Sequence, residues 1–173
     1  MALLVLSVVG SDRPGLTRAL AAAVLSAGGN WLESQLSRLG GLYVGSVLVE
    51  IEAGAVEALR AAVSTVDAHG LEVRIAPAVD VPAPAGGEQA HFTLVGQDRP
   101  GIVNQVTAVL TRLDANIETF NTWITSEPYS GLPLFHLEAS LRLPPALTTG
   151  ALQTALEDIS AEIMVDIALT PVG

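Results

Sequence analysis

Cysteine is absent from the 173 residues. That excludes a disulfide framework, thiolate catalysis and the usual cysteine zinc sites, and it accords with a reducing cytoplasm. Basic residues are scarce: 8 Lys and Arg stand against 18 Asp and Glu, for a formal net charge of −10. A chain of that sign repels a phosphate backbone rather than gathering on it, so no direct nucleic-acid binding is expected. No run approaches the ~20 apolar residues of a membrane span, so no membrane partner is expected either. The apolar opening Met1–Val9 has no basic leader and no cleavage pattern, which argues against a secretory signal and for a cytoplasmic protein.

Catalytic and cofactor signatures are equally thin. The histidines are three and scattered, His69, His91 and His136, with no i,i+4 pair or carboxylate at ligand spacing, so they read as structural and no metal is expected. Ser7 and Thr93 have no histidine nearby in sequence and no Gly-x-Ser-x-Gly elbow surrounds either. Neither Gly28-Gly29 nor Gly86-Gly87 leads into the Lys-Ser/Thr start of a phosphate loop. The expectation is a protein that is not an enzyme and carries no cofactor.

What is present is a repeat. Val9-Gly-Ser-Asp-Arg-Pro-Gly-Leu16 recurs as Val95-Gly-Gln-Asp-Arg-Pro-Gly-Ile102, 86 residues later, and the same offset pairs Asn30 with Asn116. The Pro-, Ala- and Gly-rich stretch 81–89 between the copies reads as a linker, giving domains at 1–80 and 90–173. In both copies the apolar period alternates between strand and helix in one order. Strands at Leu4–Val9 and Phe92–Val95 enter the motif. Helices follow, with Leu16, Leu20, Ala23 and Val24 on one face, matched by Ile102, Val106, Val109, Leu110 and Leu113.

A strand after Asn30 then reaches Gly40-Gly41, a dipeptide suited to a tight hairpin. The returning strand turns Tyr43, Val47, Val49 and Ile51 to one face, and its counterpart turns Phe135, Leu137, Ala139, Leu141 and Leu143 inward. Second helices carry Val56, Leu59, Val63 and Val66, then Leu152, Leu156 and Ile159. Closing strands carry Leu71, Val73 and Ile75, then Ile163, Val165, Ile167 and Leu169. The fold class expected is α+β: two tandem ferredoxin-like βαββαβ domains, each a four-stranded antiparallel sheet with two helices on one face. A unit of about 80 residues buries only about 60–65% of its unfolded surface and leaves the other sheet face open, so pairing and a homo-oligomer are expected.

The Asp-Arg-Pro-Gly turn has two readings. As a helix start, Pro14 suits the first helical position and Asp12 places negative charge beside the helix N-terminus. As a site, Gly15 and Gly101 leave the first-turn amides open to a carboxylate, Asp12 or Asp98 accepts an ammonium, and Asn30 or Asn116 adds a donor and an acceptor. A glycine after the proline is a poor helix former, so its use twice asks for a reason such as close approach of another atom.

An apolar strand, Gly-x-Asp-Arg-Pro-Gly, a helix and Asn-(Trp/Ile) opening the next strand resembles the ACT domain, in both halves of the chain. The pair of domains looks most like the glycine cleavage system transcriptional repressor family. Formyltetrahydrofolate deformylase begins with such a domain but needs a further catalytic one, for which this chain is too short. The resemblance implies a ligand site at Asp12, Arg13, Pro14, Gly15, Leu16 and Asn30, and again at Asp98, Arg99, Pro100, Gly101, Ile102 and Asn116. It implies a small amino-acid effector and a regulatory protein partner. The alternatives are a ligand-free interaction module and a detached regulatory subunit of a metabolic enzyme.

Two further features stand out. Trp31 and Trp123, on the second strands, are expected to pack at a sheet edge or between domains. The second copy replaces Gly40-Gly41 with the longer Ser126–Pro133, about six extra residues, a surface insertion or a partner-binding or site-covering loop carrying Tyr129 and Leu132.

Overall fold

In a computed structural model, which describes residues 1–67, 70–79 and 87–172, the chain divides into two compact units, Met1–Val81 and Pro82–Gly173. Within the first, β1 (Ala2–Ser11), α1 (Leu16–Ser26), β2 (Asn30–Leu39), β3 (Leu42–Ile51), α2 (Val56–Asp67) and β4 (Leu71–Pro77) follow in order. The second repeats them as β5 (Gln89–Gln97), α3 (Ile102–Arg112), β6 (Asn116–Ser126), β7 (Pro133–Arg142), α4 (Thr149–Ile163) and β8 (Val165–Val172). The sheets have orders β2-β3-β1-β4 and β6-β7-β5-β8 with every neighbouring pair antiparallel. Each unit is the expected βαββαβ ferredoxin-like arrangement.

Period-two burial makes each sheet one-sided. On β1, Leu4, Leu6 and Val8 are buried and their neighbours point away, and β3 adds Val47, Val49 and Ile51 to the same face. Against that face pack Leu16, Leu20, Ala23 and Val24 of α1 with Leu59, Val63 and Val66 of α2. The second core pairs Phe92 and Leu94 with Leu137, Ala139 and Leu141, under Ile102, Val106, Val109 and Leu110 of α3 and Leu152 and Leu156 of α4. Burying a Leu or Val contributes about 1.5–3 kcal/mol, so these aliphatic layers dominate the stability of each unit. Trp31 packs partly buried against the first core, whereas Trp123 lies half-exposed, stacked on His136 with ring centroids 5.2 Å apart.

Several boundaries differ from the sequence expectation. Gln89, the last residue of the expected linker, already pairs within β5, while 81–86 lie outside the described residues, as does His69. Ile163 is the last residue of α4 rather than the first of the closing strand, because Met164 turns left-handed at φ 51° and breaks the helix there. Leu113 ends α3 as its C-cap. The N-terminus of α4 is held from outside the helix: Glu88 accepts from the Thr149 amide at 3.0 Å and from its hydroxyl at 2.5 Å. These bonds favour the charged carboxylate and hold its pKa below the usual 4.5. Among the described residues, no helix is long and apolar enough to cross a membrane.

Candidate functional site

Both Asp-Arg-Pro-Gly turns fold alike, and the helix starts later than the proline suggests. Gly15 is the N-cap residue of α1 at φ 94°, ψ −5°, and Gly101 that of α3 at φ 99°, ψ −9°. Those angles fit the third position of a type II turn, where glycine is favoured after a proline. Pro14 therefore does not occupy the first helical position: it forms the turn two residues before Leu16. The second glycine is required by its left-handed backbone and not by crowding, because a Cβ built at Gly15 or Gly101 meets nothing within 4 Å. Close approach belongs to the first glycine of the motif, since a Cβ on Gly10 would lie 2.5 Å from the Gly70 carbonyl and one on Gly96 2.7 Å from that of Met164.

The open space beside Gly15 and Gly101 leaves the first-turn amides accessible. Neither helix has a side-chain cap on them, so these donors are free to take an anion or water. Leu16 and Ile102 bury their side chains in the cores, leaving only their amides to a ligand.

The remaining motif residues separate. Asp12 makes no cap bond; its carboxylate pairs with Arg38 of β2 at 3.1 Å. Asp98 has no ion pair or side-chain hydrogen bond among the described residues, while its amide donates to the Pro133 carbonyl at 3.0 Å. Arg99 turns away from the helix start: its Nη2 donates to the carbonyl of Glu162, in the last turn of α4, at 2.6 Å. Arg13 lies at the equivalent place, with Nη2 3.6 Å from where a Cβ of Gly70 would sit.

The asparagines are not beside the turns. Asn30 pairs with Glu50 and Asn116 with Arg142, whereas Ser11 pairs with Leu42 and Gln97 with Leu134. Eight positions of the intervening strand, about 27 Å at ~3.4 Å per residue, lie between them. The reason is topological: β2 runs parallel to β1 with β3 between, so its first residue lies near the start of β1 and the turn follows its end. One small ligand cannot touch both the turn and the asparagine of the same domain.

Residues around the turns that the motif did not reveal distinguish the two. Beside the first, the Thr17 and Tyr43 hydroxyls hydrogen bond at 2.6 Å, next to the Asp12–Arg38 pair. Register places Val103, Phe135 and Ile124 at the equivalents of Thr17, Tyr43 and Arg38. At these three positions the first turn has polar groups and the second apolar ones. Comparing the two copies at the 86-residue offset reveals Val103 and Ile124. Phe135 needs the hairpin length as well: Leu6 faces Val47 and Phe92 faces Ala139, an offset of 92 beyond the hairpin. Among the described residues, no group of three or more His, Cys, Asp or Glu is placed to hold a metal ion.

The family model of the ACT domain matches residues 2–76. A protein of unknown function from Galdieria sulphuraria is 30% identical, with TM-score 0.86 and 99% of each chain aligned. Residues 2–76 of the chain belong to the ACT domain family. The structure of a candidate glycine cleavage system transcriptional repressor superposes with TM-score 0.70 over 99% of this chain and 97% of its own, at 16% identity, and shares the two-domain ACT fold. Among curated proteins there is no sequence match.

Proposed function

We propose that this tandem ACT protein is a non-catalytic sensor of a small amino acid, glycine or serine-like. It passes the signal to a regulatory protein by protein–protein contact, in the transcriptional control of amino-acid metabolism. The observation that carries the reading is the duplicated turn, in which a left-handed glycine leaves uncapped helix amides open beside an aspartate. Amides for a carboxylate and a carboxylate for an ammonium are what a zwitterion needs. The net charge of −10 favours action through a protein rather than on DNA. The absence of cysteine accords with a cytoplasmic protein, and the small size of each domain with a homo-oligomer. A ligand of about five heavy atoms gains at most ~1.5 kcal/mol per atom, which sets a low-micromolar ceiling suited to sensing metabolite pools.

Isothermal titration with the common amino acids tests this directly, and a protein that binds none of them is not a sensor of this kind. The competing reading is a ligand-free interaction module. It is favoured by the structural employment of Asp12 on Arg38 and of Arg99 on Glu162, and it predicts flat titrations with intact partner binding.

A further inference from the structure

The segment that forms each turn lies against the junction of the second helix and the last strand of its own domain. In the second domain Gly96 lies against Met164 and Val165 so closely that a Cβ would come within 2.7 Å of the Met164 carbonyl and 2.9 Å of the Val165 Cα. Three residues on, Arg99 donates to the Glu162 carbonyl at 2.6 Å. The exposed carbonyls of a helix C-terminus carry the negative end of its dipole, so a guanidinium is favoured there. Residues 96–99 and 162–165 are thus keyed together before and after Asp98. The first domain repeats the pattern with Gly10 against Gly70 and Leu71, and with Arg13 beside Gly70. The residue gripped is left-handed in both, Gly70 at φ 87° and Met164 at φ 51°.

We propose that Arg99, and Arg13 in its place, are positioning residues rather than ligand contacts. They tie the amide-bearing turn to the junction of the second helix and last strand, so that occupancy of the turn is conveyed to that junction. Met164 is 62% exposed there, so the junction is a surface that a partner can read. Met164 is held in a left-handed backbone conformation that is unfavourable for a non-glycine residue, which makes the junction responsive to a small change in what holds it. The conveyance rests on the amino-acid reading given above; the tie itself does not.

Hydrogen exchange on the full chain separates the two. Without ligand, Arg99→Met is expected to raise exchange at 162–165 on the order of tenfold, as loss of a charge-assisted hydrogen bond does, with Arg99→Lys restoring most of the protection. Unchanged exchange in Arg99→Met overturns the tie. In wild type, an amino acid found to bind by titration, with glycine and L-serine as first probes, is expected to slow exchange at 162–165 as well as at 101–104. Gly96→Ala, which leaves Arg99 and every proposed ligand contact in place, is expected to weaken that binding several-fold. Protection confined to 101–104, or full affinity in Gly96→Ala, overturns the conveyance while leaving the sensor reading intact. Absence of binding by any amino acid overturns both the sensor and the conveyance. Should Gly96→Ala fail to fold, Arg99→Met serves in its place: abolished binding with unchanged exchange marks Arg99 as a ligand contact and ends the proposal.

Discussion

Asp12 and Arg38 form an ion pair at 3.1 Å beside the first turn, and the position equivalent to Arg38 in the second domain is Ile124. The same motif aspartate is therefore ion-paired in one domain and, among the described residues, without an ion pair in the other. An ammonium approaching Asp12 has to displace a guanidinium, whereas Asp98 meets it unpaired. Asp98→Ala is expected to lower amino-acid affinity markedly, and Asp12→Ala to lower it little. Arg38→Ala is expected to raise the affinity of the first turn. Since the pair is exposed, its own contribution to stability is at most about 1 kcal/mol, so titration rather than melting is the measurement that decides.

Gly15→Ala and Gly101→Ala place a side chain in open space but in the left-handed region. The strain of about 1–2 kcal/mol is expected to appear in full in urea unfolding. Relief of the strain by moving the turn would also remove the amides from their present direction, so weaker binding should accompany the lost stability. A variant as stable as wild type would mean that the left-handed angle is not needed.

Glu88 provides a pH test. Its pKa is depressed by the hydrogen bonds from the Thr149 hydroxyl and amide, so the folded protein binds that proton less readily than the unfolded chain. The stabilisation is then fully present above the unfolded value near 4.5 and is lost as pH falls through the lowered folded value. Unfolding curves of wild type and Glu88→Gln should differ at neutral pH and converge in acid. Parallel curves across that range would show that the carboxylate does not hold the N-terminus of α4.

The long hairpin of the second domain is braced from within. The Glu127 amide donates to the Leu132 carbonyl at 2.8 Å, the Gly131 amide to the Glu127 carbonyl at 2.9 Å, and the Ser130 hydroxyl to the Glu127 carboxylate. It presents Tyr129 fully to solvent. Because β6 and β7 remain paired out to Ser126 and Pro133, replacing 127–133 by Asn-Gly-Leu, whose leucine supplies the turn-closing amide that Pro133 lacks, should leave the fold intact. Tyr129→Ala should change stability by no more than about 0.5 kcal/mol. A fall in partner affinity in either variant would then report a contact made by the loop, and unchanged ligand and partner affinity would leave it a tolerated insertion.

Most of the fold was legible from spacing. The repeat, the order of elements, the inward faces of β1, β3 and α1, and the Gly40-Gly41 hairpin, with φ of 59° and 84°, follow from local rules: a period of two or 3.6 and a dipeptide that tolerates positive φ. Errors fell at the ends of elements, as at Ile163, because Met164 adopts a conformation that its identity does not announce.

The turn also belongs to what sequence determines, since Pro14-Gly15 and Pro100-Gly101 dictate its geometry almost alone. What only the tertiary structure decided is the company each turn keeps. Sequence places Asn30 15 residues after Gly15, yet insertion of β3 between β1 and β2 puts it at the other end of the sheet. Arg99 is adjacent to Asp98 in the chain, yet the packing of α4 gives it the Glu162 carbonyl as a partner 63 residues away. Local conformation depends on neighbouring residues in the chain, whereas a side chain's partners depend on which distant segments the sheet order and core packing bring alongside it.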